Sequence, residues 1–182
     1  MLAVARDCSG NAGNAHLVPE KYSASMTFSL TGRVEWVDTD AAGIYHNSAV
    51  IRFVESAEAA LLRECGLVGY FPVAPRVRYE VDFHAPLYFG QEVTTDLDIA
   101  HLGSSSMRFE FSIWGEAFEG RERQLAAQGA YVTVHIDRTA SGAVAAPWPS
   151  RWHEELQGQV KTPADPGQDA RVRDGLRPSS AR

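Results

Sequence analysis

A single amphipathic helix set among segments of period-two alternation is the feature that most narrows what this chain can fold into. From about Asn47 or Ser48 a helix is predicted. Val50, Val54, Ala57 and Leu61 recur at steps of four, three and four, along one helical face. Arg52, Glu55, Glu58 and Arg63 are expected off that stripe, and Gly66 supplies the stop signal. Ala57, Ala59 and Ala60 are small enough to let a sheet wrap closely round this helix.

A β-rich run, residues 27–37, precedes the helix, and four alternating runs follow it. The expected inward faces are Val77, Tyr79, Val81 and Phe83; Val93, Leu97 and Ile99; Met107, Phe109, Phe111 and Ile113; and Ala130, Val132, Val134 and Ile136. Gly129 reads as a bulge in the last of these. Each fully buried Val, Leu, Ile or Phe contributes about 1.5–3 kcal/mol, so these faces and the helical stripe make an adequate core. The order strand, helix, four strands predicts an α+β architecture with one long helix against a mostly antiparallel sheet. With only one such helix, the edges and the other sheet face call for a partner subunit, which predicts a homodimer or homotetramer.

At 182 residues the chain suits one compact domain. Residues 1–25 are rich in Ala, Gly, Asn and Ser without a hydrophobic period and read as a mobile leader, with Met26 a candidate natural start. Residues 139–182 turn Pro-, Gly- and charge-rich and read as a disordered tail. One short helix is expected within it near 150–157, capped by Ser150, with Trp148 and Trp152 packing back on the domain.

Formal net charge is −6, which argues against nucleic-acid binding, although a few local arginines can still hold a polyanion. No apolar run approaches the roughly 20 residues a membrane-spanning helix needs, and no secretory signal is evident. A soluble cytoplasmic protein is expected. Cys8 and Cys65 make no disulfide framework, and neither CxxC nor HExxH occurs, so neither a metal nor a cofactor is expected.

The segment Asp38-Thr39-Asp40-Ala41-Ala42-Gly43-Ile44-Tyr45-His46-Asn47 carries the chemistry. It runs from a strand end through a carboxylate-bearing loop to a helix start. A helix N-terminus exposes unpaired N–H groups and partial positive charge, which would stabilise an oxyanion on a thioester carbonyl. A carboxylate a few residues earlier would reach the same carbon as nucleophile or as base for water. Asp and Gly before a helix are also ordinary turn and cap residues, so residue types alone leave both readings open.

The run from Asp38 through Leu67 resembles the 4-hydroxybenzoyl-CoA thioesterase-like family of hotdog-fold proteins. The matching pattern is Asp38-x-Asp40-x-x-Gly43, then His46-Asn47, then a helix with Glu55 fifteen residues past Asp40. The strand order fits too, and PLYFGQEV resembles the family's turn between the second and third strands. The resemblance spans about 28–137 and places one hotdog domain at 26–138, a central helix wrapped by a five-stranded sheet.

It implies an acyl-CoA thioesterase, with an acyl-carrier protein as the other candidate thiol carrier. Asp40 falls on the catalytic carboxylate. Asn47 falls on the residue whose backbone N–H polarises the thioester carbonyl, and Gly43 on the glycine that lets the loop approach the ligand. Asp38 falls on a mostly structural aspartate. Val50 stands where many relatives have an aromatic residue, which implies a differently shaped acyl pocket.

His46 would orient the carboxylate or donate to substrate, or else cap the helix. Glu55 is placed as a supporting residue near the substrate. Ser104, Ser105 and Ser106 form a turn of the kind that in the family lies near the pantetheine arm or phosphates, and a plain turn is the competing reading. Arg76, Arg78, Arg108, Arg121 and Arg123 are candidate phosphate partners or simply solvated charges, with Arg108 retained as the substrate-binding candidate. Two other functions compete: a non-catalytic acyl-ligand binding protein, and a hotdog dehydratase or hydratase, faintly suggested by His84-Ala85-Pro86.

Overall fold

The computed structural model describes residues 27–140 and 142–161; the predicted leader, Met26 and the end of the tail lie outside the described residues. Seven strands and two helices follow in order: β1 (Phe28–Arg33), α1 (Ala49–Glu64), β2 (Arg76–Phe83), β3 (Glu92–Leu102), β4 (Ser106–Gly115), β5 (Gln124–Val134), β6 (Ile136–Thr139), β7 (Gly142–Ala145) and α2 (Ser150–Gln157). The first five strands form one fully antiparallel sheet in the order β1-β3-β4-β5-β2. Helix α1 packs on β1, β3 and β4. This is the expected α+β hotdog arrangement, although α2 makes the helix count two.

The α1 stripe is buried as the periodicity predicts: Val50, Val54, Ala57 and Leu61 all point into the core. Gly66 follows the helix at φ +71°, a left-handed position that suits glycine and ends the helix. One expectation fails. Glu58 does not lie off the stripe; it is buried at 1% exposure, four residues after Val54 and three before Leu61, which puts it on the same face. The partner that makes this burial tolerable is Arg76 from β2.

The inward faces of β3 and β4 match the expectation, but on β2 Val77 and Phe83 are exposed, and β5 keeps Ala130 buried and then follows the other parity. Tyr131 and Thr133 are buried across from Phe109 and Met107, whereas Val132 and Val134 are only half-buried. Aromatic stacking and a satisfied hydroxyl outweigh the alternation of aliphatics. The Phe109 and Tyr131 rings lie 4.7 Å apart at 11°, and the Tyr70 hydroxyl donates to Thr133 Oγ1 at 2.6 Å. Gly129 is no bulge. It pairs in register with Val81 and Phe111, and a Cβ there would stand 2.0 Å from the Glu80 carbonyl oxygen. Glycine is required by close approach.

Strand β1 stops at Arg33, short of the expected Val37. A 3-10 turn at Trp36–Asp38 replaces its end, because the Asp38 carboxylate accepts from the Glu35 N–H at 2.7 Å and the Thr39 hydroxyl donates to the Trp36 carbonyl at 2.9 Å. At the other end of the domain the ordered chain runs past residue 138. The β6–β7 hairpin and α2 fall where a tail with one short helix is expected, and Lys161 N–H closes onto the Ile99 carbonyl at 2.8 Å. Trp148 and Trp152 do pack back, both against Tyr70. Pro149, not Ser150, stands at the cap position. Among the described residues no helix is long and apolar enough to cross a membrane.

Candidate active site

The loop from Asp38 to Asn47 is folded on itself by backbone hydrogen bonds. The Asp40 N–H donates to the Ile44 carbonyl at 3.0 Å, Gly43 N–H to the Asp40 carbonyl at 3.0 Å, and His46 N–H to the Asp38 carbonyl at 2.8 Å. Tyr45 N–H reaches across to the Leu87 carbonyl at 2.9 Å, which fastens the loop to the segment before β3. Gly43 sits at φ +76°, so the tight turn itself demands glycine, and the space where a Cβ would stand is open.

The two aspartates have opposite surroundings. Asp38 is buried and gripped by Arg52, whose Nε donates to Oδ1 at 2.6 Å and whose Nη2 donates to Oδ2. Its carboxylate is committed to holding α1 against the loop. Asp40 is exposed, and its Oδ1 accepts from the Ala42 N–H at 2.8 Å. That contact orients the carboxylate and leaves Oδ2 without a protein partner among the described residues.

His46 is half-buried and both ring nitrogens are engaged. A carbonyl can only accept, so Nε2–H donates to the Val37 carbonyl at 2.9 Å, and Nδ1 shares a hydrogen bond with the Ser48 hydroxyl at 2.6 Å. This geometry requires a proton on Nε2 and ties the loop to the helix start. The Ser48 hydroxyl is thereby spent on His46 and makes no cap bond to the helix.

Asn47 is exposed at the approach to α1, and its backbone N–H meets no protein acceptor among the described residues. It lines a cavity of about 380 Å³ with Ile44, Tyr45, Phe83, His84, Ala85 and Pro86. The walls are mainly apolar. The Tyr45 hydroxyl donates to the Ala126 carbonyl at 3.3 Å, the same oxygen that accepts His84 N–H at 2.8 Å. Burial raises the Tyr45 phenol above its ordinary value. Asp40 itself does not line the cavity; it adjoins it through its bond to Ile44.

The structure thus brings Asp40, Gly43, His46 and Asn47 into one loop and leaves the other candidates elsewhere. Glu55 points to Arg76, with Arg76 Nη1 2.7 Å from its Oε1. The Ser104 and Ser105 carbonyls accept from the Trp148 and His135 N–H groups, both at 2.8 Å, and the Ser106 carbonyl accepts from Gly103 N–H at 2.8 Å. That turn therefore clasps the chain that follows β5. Arg108 lies in an acidic groove on the outer sheet face, 3.6 Å from Glu110. All five candidate arginines face carboxylates: Arg76 with Glu55 and Glu58, Arg78 with Glu80, Arg108 with Glu110, Arg121 with Glu119 and Arg123 with Glu116.

Sequence reasoning missed two features. The first is the cavity wall from Ile44, Tyr45 and Phe83–Pro86, which joins segments some forty residues apart and carries no local signature. The second is the buried Glu58–Arg76 pair. Burial pushes the Glu58 carboxyl up, against the lowering effect of Arg76 beside it. Glu58 was legible in principle as a carboxylate within the helical stripe.

Comparison with known proteins fits this geometry. Residues 34–160 match the sequence model of a family described as the thioesterase-like superfamily. A 1,4-dihydroxy-2-naphthoyl-CoA hydrolase of Thermosynechococcus vestitus is 24% identical over 123 residues, covering 64% of this chain and 82% of that protein. The solved structure of the dynemicin thioesterase superposes with a TM-score of 0.68 at 15% identity, over 76% of this chain and all of that one. The 4-hydroxybenzoyl-CoA thioesterase of Pseudomonas sp. strain CBS-3 superposes with a TM-score of 0.64 at 19% identity, over 71% of this chain and 98% of that one. These structural likenesses establish the shared fold.

Proposed function

The chain belongs to the thioesterase-like superfamily, and from that premise we propose that it hydrolyses an acyl-CoA thioester with Asp40 as the reactive carboxylate. The observation that carries the reading is the meeting, in one ten-residue loop, of an exposed carboxylate and an unpaired N–H two residues before α1. Asn47 itself lines a mainly apolar cavity suited to an acyl group.

In this reading the acyl group occupies the cavity and the thioester carbonyl accepts from Asn47 N–H. Polarisation there stabilises the oxyanion as the carbonyl carbon is attacked. Asp40 either takes a proton from the attacking water or adds to the carbon itself, forming a mixed anhydride that water then opens. The C–S bond breaks, the thiolate of coenzyme A takes a proton, and the free acid leaves. His46, with both ring nitrogens engaged, holds the loop in place. Gly43 makes the turn. No step of this reading is assigned to Glu55, Ser104–Ser106 or Arg108. A carrier-protein thioester is the alternative substrate.

The same reading includes a homo-oligomer. Strand β2 is a free sheet edge, and α1 lies over β1, β3 and β4. Val77 and Phe83 on β2 are 61% and 50% exposed. An unpaired apolar edge of this kind is normally covered.

Thiol release from short-chain, long-chain and aromatic acyl-CoA substrates tests the proposal. Turnover of at least one class is expected. Binding of acyl-CoA with no thiol release from any class, and none from carrier-protein thioesters, would favour the non-catalytic binding function instead.

A further inference from the structure

We propose that His84 determines which acyl group the protein accepts, by hydrogen-bonding to an oxygen substituent on that group. The inference rests on reading the Asn47-lined cavity as the acyl site, and it adds a residue and a selection rule to that reading.

The cavity has seven lining residues, of which Ile44, Phe83, Ala85 and Pro86 are apolar. Tyr45 contributes a ring, but its hydroxyl is already committed to the Ala126 carbonyl. Two polar side chains remain, Asn47 and His84, and neither makes a side-chain hydrogen bond among the described residues. In a mostly apolar pocket, the few unspent polar groups fix orientation and specificity.

Asn47 belongs to the helix-start side, where the thioester carbonyl is placed. His84 comes from the opposite wall, the segment after β2, and its position is well defined. Its N–H and that of Ala85 both donate to the Ala126 carbonyl, at 2.8 and 3.2 Å. Tyr45 from the first wall shares that acceptor, so one carbonyl of β5 sets the spacing of both walls. These bonds hold the backbone from which the His84 side chain joins the cavity lining. An imidazole carries both a donor and an acceptor nitrogen when neutral, so it can pair with a hydroxyl or an oxo group. His84 is exposed, so water serves its ring until an acyl group binds. An acyl group that covers the ring displaces that water, and only one with an oxygen substituent replaces the lost hydrogen bond. A site built to hydrogen-bond a substituent discriminates strongly against the analogue lacking it.

The test uses acyl pairs that differ only by one hydroxyl, an aryl pair and a straight-chain pair, with wild type, His84→Ala and His84→Gln. For the CoA thioesters, wild type should favour the hydroxylated member of at least one pair by tenfold or more in kcat/KM. His84→Ala should abolish that preference by lowering the hydroxylated member's kcat/KM, chiefly through KM, by at least tenfold more than the plain member's. His84→Gln, which keeps a donor and an acceptor, should restore part of it. The free acids are measured in parallel by calorimetry, which needs no turnover. Preference for the hydroxylated acid in wild type, lost in His84→Ala, upholds the role of His84 even if no thioester is cleaved; in that case only the hydrolase reading falls. Turnover with equal preference in wild type and His84→Ala, a parallel loss for both members, or no discrimination by wild type in either assay overturns the inference.

Discussion

Arg52 on α1 and Asp38 in the preceding loop form a two-donor ion pair that is deeply asymmetric in exposure, with the carboxylate 2% exposed and the guanidinium side chain 42% exposed. The pair joins the helix to the loop that presents Asp40. Its two halves should not be equivalent on mutation. Asp38→Ala frees an arginine that can turn to water, whereas Arg52→Ala strands a buried carboxylate. Breaking a buried pair costs about 3–5 kcal/mol when a charge is left uncompensated. Urea denaturation should place Arg52→Ala within that range and Asp38→Ala below it. The reverse order would show that Asp38 contributes mainly through its bond to the Glu35 N–H.

Glu58 gives the fold a pH dependence of unusual sign for a carboxylate. Its folded-state pKa is raised, first by burial. Between its ordinary value and the raised one, the folded state holds more protons than the unfolded state, so this group's contribution to stability falls as pH rises through that window. Glu58→Gln should flatten that part of the stability profile. Denaturation midpoints measured from pH 4 to 8 in both proteins check this, and parallel profiles would contradict it.

Gly129 is fixed by contact. A methyl group there meets the Glu80 carbonyl oxygen at 2.0 Å and the Phe111 ring at 2.8 Å, and a backbone carbonyl in a sheet has little room to yield. Gly129→Ala should destabilise by about 3 kcal/mol, the upper part of the overpacking range. A thermal melt within a degree or two of wild type would mean that β2 and β5 can separate at this point.

Much of this fold was legible before the structure, and the failures share a cause. The helix, its stop at Gly66 and the inward faces of β3 and β4 follow from periodicity, because one period dominates each segment. Strand β5 misleads because Val132 and Val134 carry the aliphatic signal while Tyr131 and Thr133 take the core. Their burial depends on Phe109 and Tyr70, residues distant in sequence. Arg76 reads as a surface charge until Glu58 is seen facing it across the helix–sheet interface. The site divides the same way. Asp40, Gly43, His46 and Asn47, the proposed site, lie within eight residues, so the sequence alone brings them together. The far cavity wall carries no local signature, and neither do the backbone bonds that tie the Ser104–Ser106 turn to the chain beyond β5.

The free β2 edge predicts an assembly. Val77 is 61% exposed, and in a monomer Val77→Lys would be silent. If β2 pairs with a second copy, the buried ammonium should weaken association by at least tenfold. Light scattering after gel filtration, over a range of concentrations, checks this. Identical mass profiles for wild type and variant would place the interface elsewhere.

The central claim is that the exposed carboxylate of Asp40 drives the chemistry, and thiol release by wild type and Asp40→Asn tests it most directly. Asparagine keeps an oxygen for the Ala42 N–H, so the loop should hold its shape while losing the base or nucleophile. A fall in kcat of at least about a hundredfold, about 2.7 kcal/mol of barrier, with acyl-CoA binding retained, is the predicted result. Equal rates in the two proteins would contradict it.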